Sequence, residues 1–198
     1  MFLKEELLHS IGAVEHNYKP GDYIFHEGGN PQFYFQVVIG NIKLNNYNSA
    51  GKEFIQSILS SKDSVGEYML YTEKTYPVNA VAVTNCTILR ICSNRLQSYL
   101  NQNPGLYLDL CRSLSNHLYR KFVLMQKMTS HSAVERLREV LELMKQEQGI
   151  STPFTFEVPM TRQQLASLTG LCVETTIRAV KKMERDKIVR IANRKILY

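Results

Sequence analysis

The chain has 198 residues, 44% of them hydrophobic, and a formal net charge of +6, enough to bury one large core or two modest ones without staples. No run approaches the ~20 apolar residues of a membrane helix and no stretch has the pattern of a secretory leader, so the sequence reads as a cytoplasmic protein with no membrane partner. Its four cysteines, Cys86, Cys92, Cys111 and Cys172, form neither CxxC pairs nor metal-ligand spacings and read as reduced thiols, with Cys86 and Cys92, six apart in a strand-rich stretch, most simply core residues.

Between Tyr18 and Cys92 short runs rich in Val, Ile, Phe and Tyr alternate with glycine turns, which predicts a closed β-roll or barrel. The predicted strands are Tyr23–Phe25, Phe33–Ile39, Ile42–Leu44, Phe54–Leu59 and Ala80–Ile91. Gly21, Gly28, Gly29, Gly40, Gly51 and Gly66 fall between them, where the chain must turn tightly. From about Asn94 the period becomes helical. Leu110, Leu114, Leu118, Phe122, Met125 and Met128 recur at steps of three and four, giving one apolar stripe over a helix from about residue 104 to 128. A stripe that long needs a cover, either the β-roll or its own copy in a second subunit. The second reading makes Leu110, Leu114, Leu118, Phe122 and Met125 the dimerisation residues.

Thr129 to Ser132 interrupts the stripe with small polar residues and reads as a hinge. An amphipathic helix then runs from Ala133 to Gln148 through Val134, Leu137, Leu141 and Met144, and Gly149 ends it. Ser151-Thr152-Pro153 turns the chain into a strand-like Phe154–Val158.

The last segment holds all the excess charge. Thr161 to Tyr198 contains nine Lys and Arg against three Asp and Glu, while the rest of the chain has fifteen of each. A basic block suits a polyanion, but it equally describes a solvated face, and motifs must decide. Thr161 with Gln164 three residues on is a capping-box start, Gly170 closes that short helix, and a second helix follows from Val173 to Arg185. On the second helix Thr176, Val180 and Met183 share one side and can pack on Leu165 and Leu168. The opposite side presents Val173, Glu174, Ile177 and Arg178 as candidate base readers in a major groove. Arg162, Gln163, Thr175, Lys181, Lys182 and Arg194 are the candidate phosphate contacts. Ile188–Ile191 and Lys195–Tyr198 flank Ala192-Asn193-Arg194 as a hairpin with a basic tip, the wing.

These residues resemble the Crp/Fnr family of cyclic-AMP receptor and fumarate-nitrate regulators over nearly the whole chain. The matching stretches are Gly21 to Gly28, Gly40-Asn41-Ile42-Lys43-Leu44, Gly51-Lys52-Glu53, Val65-Gly66-Glu67, Thr161 to Gln164, and Val173 to Arg178. The resemblance implies an α+β architecture: a cyclic-nucleotide-binding-like β-roll with a dimerisation helix (residues 1–128), a hinge (129–132), and a winged helix-turn-helix (133–198). It implies a homodimer on a pseudo-palindromic double-stranded DNA site and RNA polymerase as a further partner. Gly66, Glu67, Val78, Asn79 and Lys121 are the effector-pocket candidates.

Two departures from the family pattern bear on the effector. Members that bind cyclic AMP follow the Gly-Glu pair with an Arg-Ser clamp for the phosphate, whereas this chain has Tyr76-Pro77-Val78-Asn79-Ala80; Lys121 and Phe122 replace the hydroxyl pair that meets adenine. Weak or no cyclic-AMP binding is therefore expected. Glu67 then reads more simply as a structural hydrogen-bond partner within the roll. No N-terminal cysteine cluster for an iron-sulfur centre precedes Cys86, no cofactor is expected, and haem held by His9, His16 or His117 is the lesser alternative. Cys172 stands where a serine N-cap is usual, and a thiol caps poorly. Two rival readings compete with a DNA-binding regulator. One is a cupin-type enzyme built around His26 and Glu27, disfavoured because no second histidine lies near His26. The other is a small-ligand-sensing module acting through protein contacts, which leaves the basic wing and outward Arg178 without a role.

Overall fold

The computed structural model describes residues 3–198. By its contacts the chain divides into two compact units, the first running from the N-terminus to Asn48 together with Gln56–Tyr119, the second comprising Ser49–Ile55 and Arg120–Tyr198.

The N-terminal part of the chain opens with α1 (Glu5–Ser10), followed by β1 (Val14–Tyr18), β2 (Tyr23–Phe25), β3 (Phe33–Ile39), β4 (Ile42–Tyr47), β5 (Glu53–Leu59), β6 (Ser64–Val65), β7 (Asn79–Ala82) and β8 (Cys86–Cys92), all within the first unit except the start of β5. A single 3₁₀ turn, Glu67–Met69, leads out of β6. Two four-stranded sheets, ordered β1-β8-β3-β6 and β2-β7-β4-β5, enclose a core of Phe25, Phe35, Val37, Ile42, Leu44, Leu59, Met69, Tyr76 and Val78. Alternation along β3 explains how one strand serves two cores. Phe35 and Val37 point into the roll, while Tyr34 points out to Leu3, Leu8, Leu89, Leu96, Leu100 and Leu110 under the helices.

The run expected as one strand from Ala80 to Ile91 is two, because Val83 and Thr84 leave the ladder to donate their backbone N–H groups to the carbonyl of Asn41. Gly40 permits that crossing. With φ of 95° and a would-be Cβ 2.4 Å from the carbonyl oxygen of Asn85, no side chain fits there. Cys86 is buried and donates to the carbonyls of Asn41 and Thr84, but Cys92 is exposed, so the expectation that both cysteines sit in the core fails for the second. β1 carries an exposed, mostly polar face, which hid it from a search for apolar runs.

Helix α2 (Ser93–Gln102) precedes α3 (Leu106–Lys127). The stripe on α3 divides: Leu110 is 3% exposed and belongs to the core under the helices, and Leu114 packs partly on the same cluster. Leu110 therefore faces the interior of its own chain, which corrects its expected place at a subunit interface. Leu118, Phe122 and Met125 are 55–65% exposed.

The second unit contains α4 (Ala133–Glu147), α5 (Arg162–Thr169), α6 (Val173–Arg185), β9 (Arg190–Ala192) and β10 (Lys195–Leu197). Leu137, Val140 and Leu141 of α4, Leu165 and Leu168 of α5, and Ala179, Val180 and Met183 of α6 are all buried, and the three helices pack on one another. Ser132 caps α4, its hydroxyl accepting from the backbone of Glu135. The Phe154–Val158 run makes only a single bridge, Glu157 to Leu197, beside the paired backbones of Phe156 and Tyr198. A left-handed Phe154 at the start of the run and Pro159 after it, with no N–H to donate, keep it from becoming a full strand.

Candidate nucleic-acid interface

The two-helix element is specified locally. The Thr161 hydroxyl accepts from the backbone of Gln164 at 3.1 Å, and the Gln164 amide oxygen accepts from the backbone of Thr161 at 2.8 Å, a complete capping box. Gly170, at φ of 70°, ends α5 in the left-handed conformation and redirects the chain toward α6. Cys172 is the N-cap of α6 but makes no side-chain cap. Its sulfur lies 2.9 Å from the Thr175 hydroxyl, and that hydrogen bond, ahead of a backbone one, holds the thiol below its usual range.

Helix α6 has two distinct faces. Thr176, Ala179, Val180 and Met183 are buried; Val173, Glu174, Arg178, Lys181 and Lys182 are exposed, and Ile177 is half-buried among them. The guanidinium of Arg178 donates to the Thr175 hydroxyl at 3.3 Å. Thr175 is thus flanked by a thiol on one side and a guanidinium on the other. Glu174 adds a carboxylate to the first turn, where the helix dipole favours it. This face offers acceptors and donors together, which reading base edges requires and phosphate attraction alone does not.

The wing is a two-residue hairpin. β9 and β10 pair antiparallel through Ala192 and Lys195, and Asn193 and Arg194 both take positive φ, the backbone that a tight hairpin of this hand needs. Arg162 at the start of α5 donates to the carbonyl of Arg194 at 3.4 Å, tying the wing tip to the helix-turn-helix. Lys195 pairs with Glu157 at 2.7 Å. Gln163 and Arg194 are exposed, and Arg162 and Thr175 are half-buried.

In the first unit the effector candidates are largely interior. Glu67 is 1% exposed, and its carboxylate meets Nδ1 of His117 on α3. Gly66 has φ of 88° and leads into the Glu67 turn. Asn79 is buried with both ends of its amide engaged: Oδ1 accepts from the backbone of Glu27, and Nδ2 donates to the carbonyl of Asn45. Val78 is buried in the roll, whereas Lys121 belongs to the second unit and is exposed. Tyr76 stacks on Phe25 with ring centres 3.8 Å apart, and its hydroxyl donates to the carbonyl of Phe33.

Comparison with known proteins agrees with both halves. A family model described as a cyclic nucleotide-binding domain matches residues 15–103, and one described as a Crp-like helix-turn-helix domain matches residues 135–198. The chain belongs to the Crp/Fnr family. The anaerobic regulatory protein of Bacillus subtilis is 25% identical over 189 residues, covering 94% of this chain and 79% of that protein. The cAMP-activated global transcriptional regulator CRP of Salmonella typhimurium is 23% identical over 176 residues, covering 88% and 84%. The structure of FixK2 from Bradyrhizobium japonicum superposes with a TM-score of 0.82 at 20% identity, covering 93% and 91%. This Crp/Fnr chain is accordingly a transcription regulator with a helix-turn-helix DNA-binding domain.

Within the Crp/Fnr frame the sequence missed three side chains. His117 lies fifty residues from Glu67 and shows no local signal beyond its phase on α3. The hydroxyl of Thr175, assigned to phosphate, also binds Arg178. Arg136 donates to the carbonyls of Ser130 and Thr169 and so clamps the segment expected as a hinge onto the end of α5. His26 is exposed and stacks on Tyr23 rather than gathering ligands. Among the described residues no group of three or more His, Cys, Asp and Glu is placed to hold a metal ion.

Proposed function

We propose that two copies of this chain bind one two-fold-related DNA site, each placing α6 in a major groove. Val173, Glu174, Ile177 and Arg178 read base edges, while Arg162, Gln163, Thr175, Lys181, Lys182 and Arg194 hold phosphates. The observation that carries this reading is the division of α6: Thr176, Val180 and Met183 are buried, so Glu174 and Arg178 have only the outward side. Arg178 suits guanine O6 and N7, Glu174 a cytosine amino group, and Ile177 a thymine methyl. Residues 1–128 act as the effector and dimerisation domain, 129–132 as the joint and 133–198 as the DNA-binding domain, with RNA polymerase as the further partner. Cyclic AMP is not the effector. The residues facing Glu67 and Asn79 are already engaged within the chain, and no guanidinium stands in the Tyr76 to Ala80 stretch to meet a buried phosphate.

The test compares Arg178→Ala with Lys182→Ala on specific and random DNA. Arg178→Ala is expected to cost about 1–3 kcal/mol at the specific site and to relax discrimination there. Lys182→Ala is expected to weaken all sequences alike and to lower the salt dependence. Equal losses from both variants on both DNAs contradict the base-reading assignment.

A further inference from the structure

We propose that Thr175 is the positioning residue of the base reader: its hydroxyl holds the Arg178 guanidinium on the outward face of α6 and links it to the DNA backbone. The inference rests on the base-reading assignment and adds to it a residue that acts through Arg178. Arg178 is exposed on a long, flexible stem, and ordering such a side chain against DNA costs conformational entropy. Part of that ordering is already present in the chain by itself. Nη2 of Arg178 donates to the Thr175 hydroxyl at 3.3 Å, one turn back along the helix. Thr175 is a stiff anchor, being β-branched and half-buried, next to Thr176, which is fully buried.

Hydrogens and lone pairs balance around this hydroxyl, which has two lone pairs and one hydrogen. Arg178 fills one lone pair. The Cys172 sulfur lies 2.9 Å away on the other side and, with the thiol as donor, fills the second. The hydroxyl's own hydrogen is then left for an outside acceptor, and a phosphate oxygen is the acceptor that a duplex brings to this face. A guanidinium carries five N–H groups, so the one given to Thr175 leaves enough for the O6 and N7 of a guanine. Thr175 thereby ties a contact that carries no sequence information to one that does: the phosphate fixes the hydroxyl, and the hydroxyl fixes the reader.

Binding of the full chain to three duplexes of equal length tests this. The first is the duplex that wild type selects from a random library, the second has the base pair at which Arg178→Ala loses preference replaced, and the third is a random sequence. Discrimination is the ratio of the first two affinities. Thr175→Val keeps the branched shape without the hydroxyl, and Thr175→Ser keeps the hydroxyl; Thr175→Ala serves in place of the valine variant if that one does not fold. Thr175→Val is expected to lower discrimination roughly 2- to 10-fold, the scale of one immobilised side chain, and Thr175→Ser to restore it. In an Arg178→Ala background Thr175→Val is expected to lower discrimination no further. Equal weakening on all three duplexes makes Thr175 a phosphate contact only and overturns the proposal, as does the same loss of discrimination with Arg178 removed. Arg178→Ala that leaves discrimination intact removes the base-reading assignment and this proposal with it, whereas intact discrimination in Thr175→Val alone removes only the proposal.

Discussion

At the scale of single residues, exposure and partner decide what each polar side chain does. Glu142 and Tyr198 illustrate it in the DNA-binding half. The Tyr198 hydroxyl donates to Glu142 at 2.8 Å, and this bond, ahead of one from Gln146, holds the carboxyl below its usual range. A carboxyl whose pKa is depressed on folding stabilises the fold above its unfolded value and loses that contribution as pH falls through the folded one. Tyr198→Phe is therefore expected to lower stability at neutral pH and to shrink the difference from wild type on acidification, as measured by urea unfolding across that range. A difference that persists in acid would assign the loss to packing. The sequence showed the outward set on α6, because helical phase alone separates Arg178 from Val180. It did not show His117 against Glu67 or Tyr198 against Glu142, since partners so distant in sequence leave no periodic trace. It also placed Cys92 and Leu110 wrongly, because an apolar side chain carries no mark of which surface will cover it.

At the scale of elements, boundaries were legible wherever the chemistry that ends a helix is local. Thr161 with Gln164, Gly149 and Gly170 each define a terminus through their own backbone or side chain, and α6 spans Val173–Arg185 as its spacing predicts. Thr161→Ala removes the hydroxyl that accepts from the backbone of Gln164, one of the two reciprocal bonds of the capping box, and leaves the backbone N–H that donates to the Gln164 amide oxygen. It is expected to destabilise the fold by about 0.5–2 kcal/mol, with Thr161→Ser restoring most of the loss in the same denaturation assay. An unchanged midpoint for Thr161→Ala would mean that tertiary packing alone holds α5. Strands were less legible. β1 is polar on most positions, the Ala80–Ile91 run hides a crossing at Val83 and Thr84, and Phe154–Val158 has strand composition but pairs with the Ile196–Tyr198 end through a single bridge. In each case the ladder is decided by a neighbour distant in sequence. The joint at 129–132 is likewise not a free tether, because Arg136 bonds the Ser130 and Thr169 carbonyls together.

At the scale of the whole molecule, the excess positive charge lies in residues 161–198, inside the stretch that matches the helix-turn-helix model, and the rest of the chain sums to zero. The apolar stripe on α3 gives the most direct statement about assembly. Leu110 and Leu114 serve the chain's own core, whereas Leu118, Phe122 and Met125 recur at four- and three-residue steps on one exposed side. Burying such side chains contributes roughly 1.5–3 kcal/mol each, enough for a short helix pair to hold two subunits together. Phe122→Asp is expected to shift the protein toward monomer in sedimentation velocity without unfolding it; a wild-type monomer, or an unaffected dimer in the variant, would move the interface elsewhere. The account rests most heavily on the outward face of α6, and selection of bound sequences from a random duplex library tests it most directly. Wild type is expected to recover two inverted half-sites about 10 base pairs apart, centre to centre, and Arg178→Ala to lose preference at one position in each half. Recovery of no repeated half-site by the wild type, or an identical profile from the variant, would contradict it.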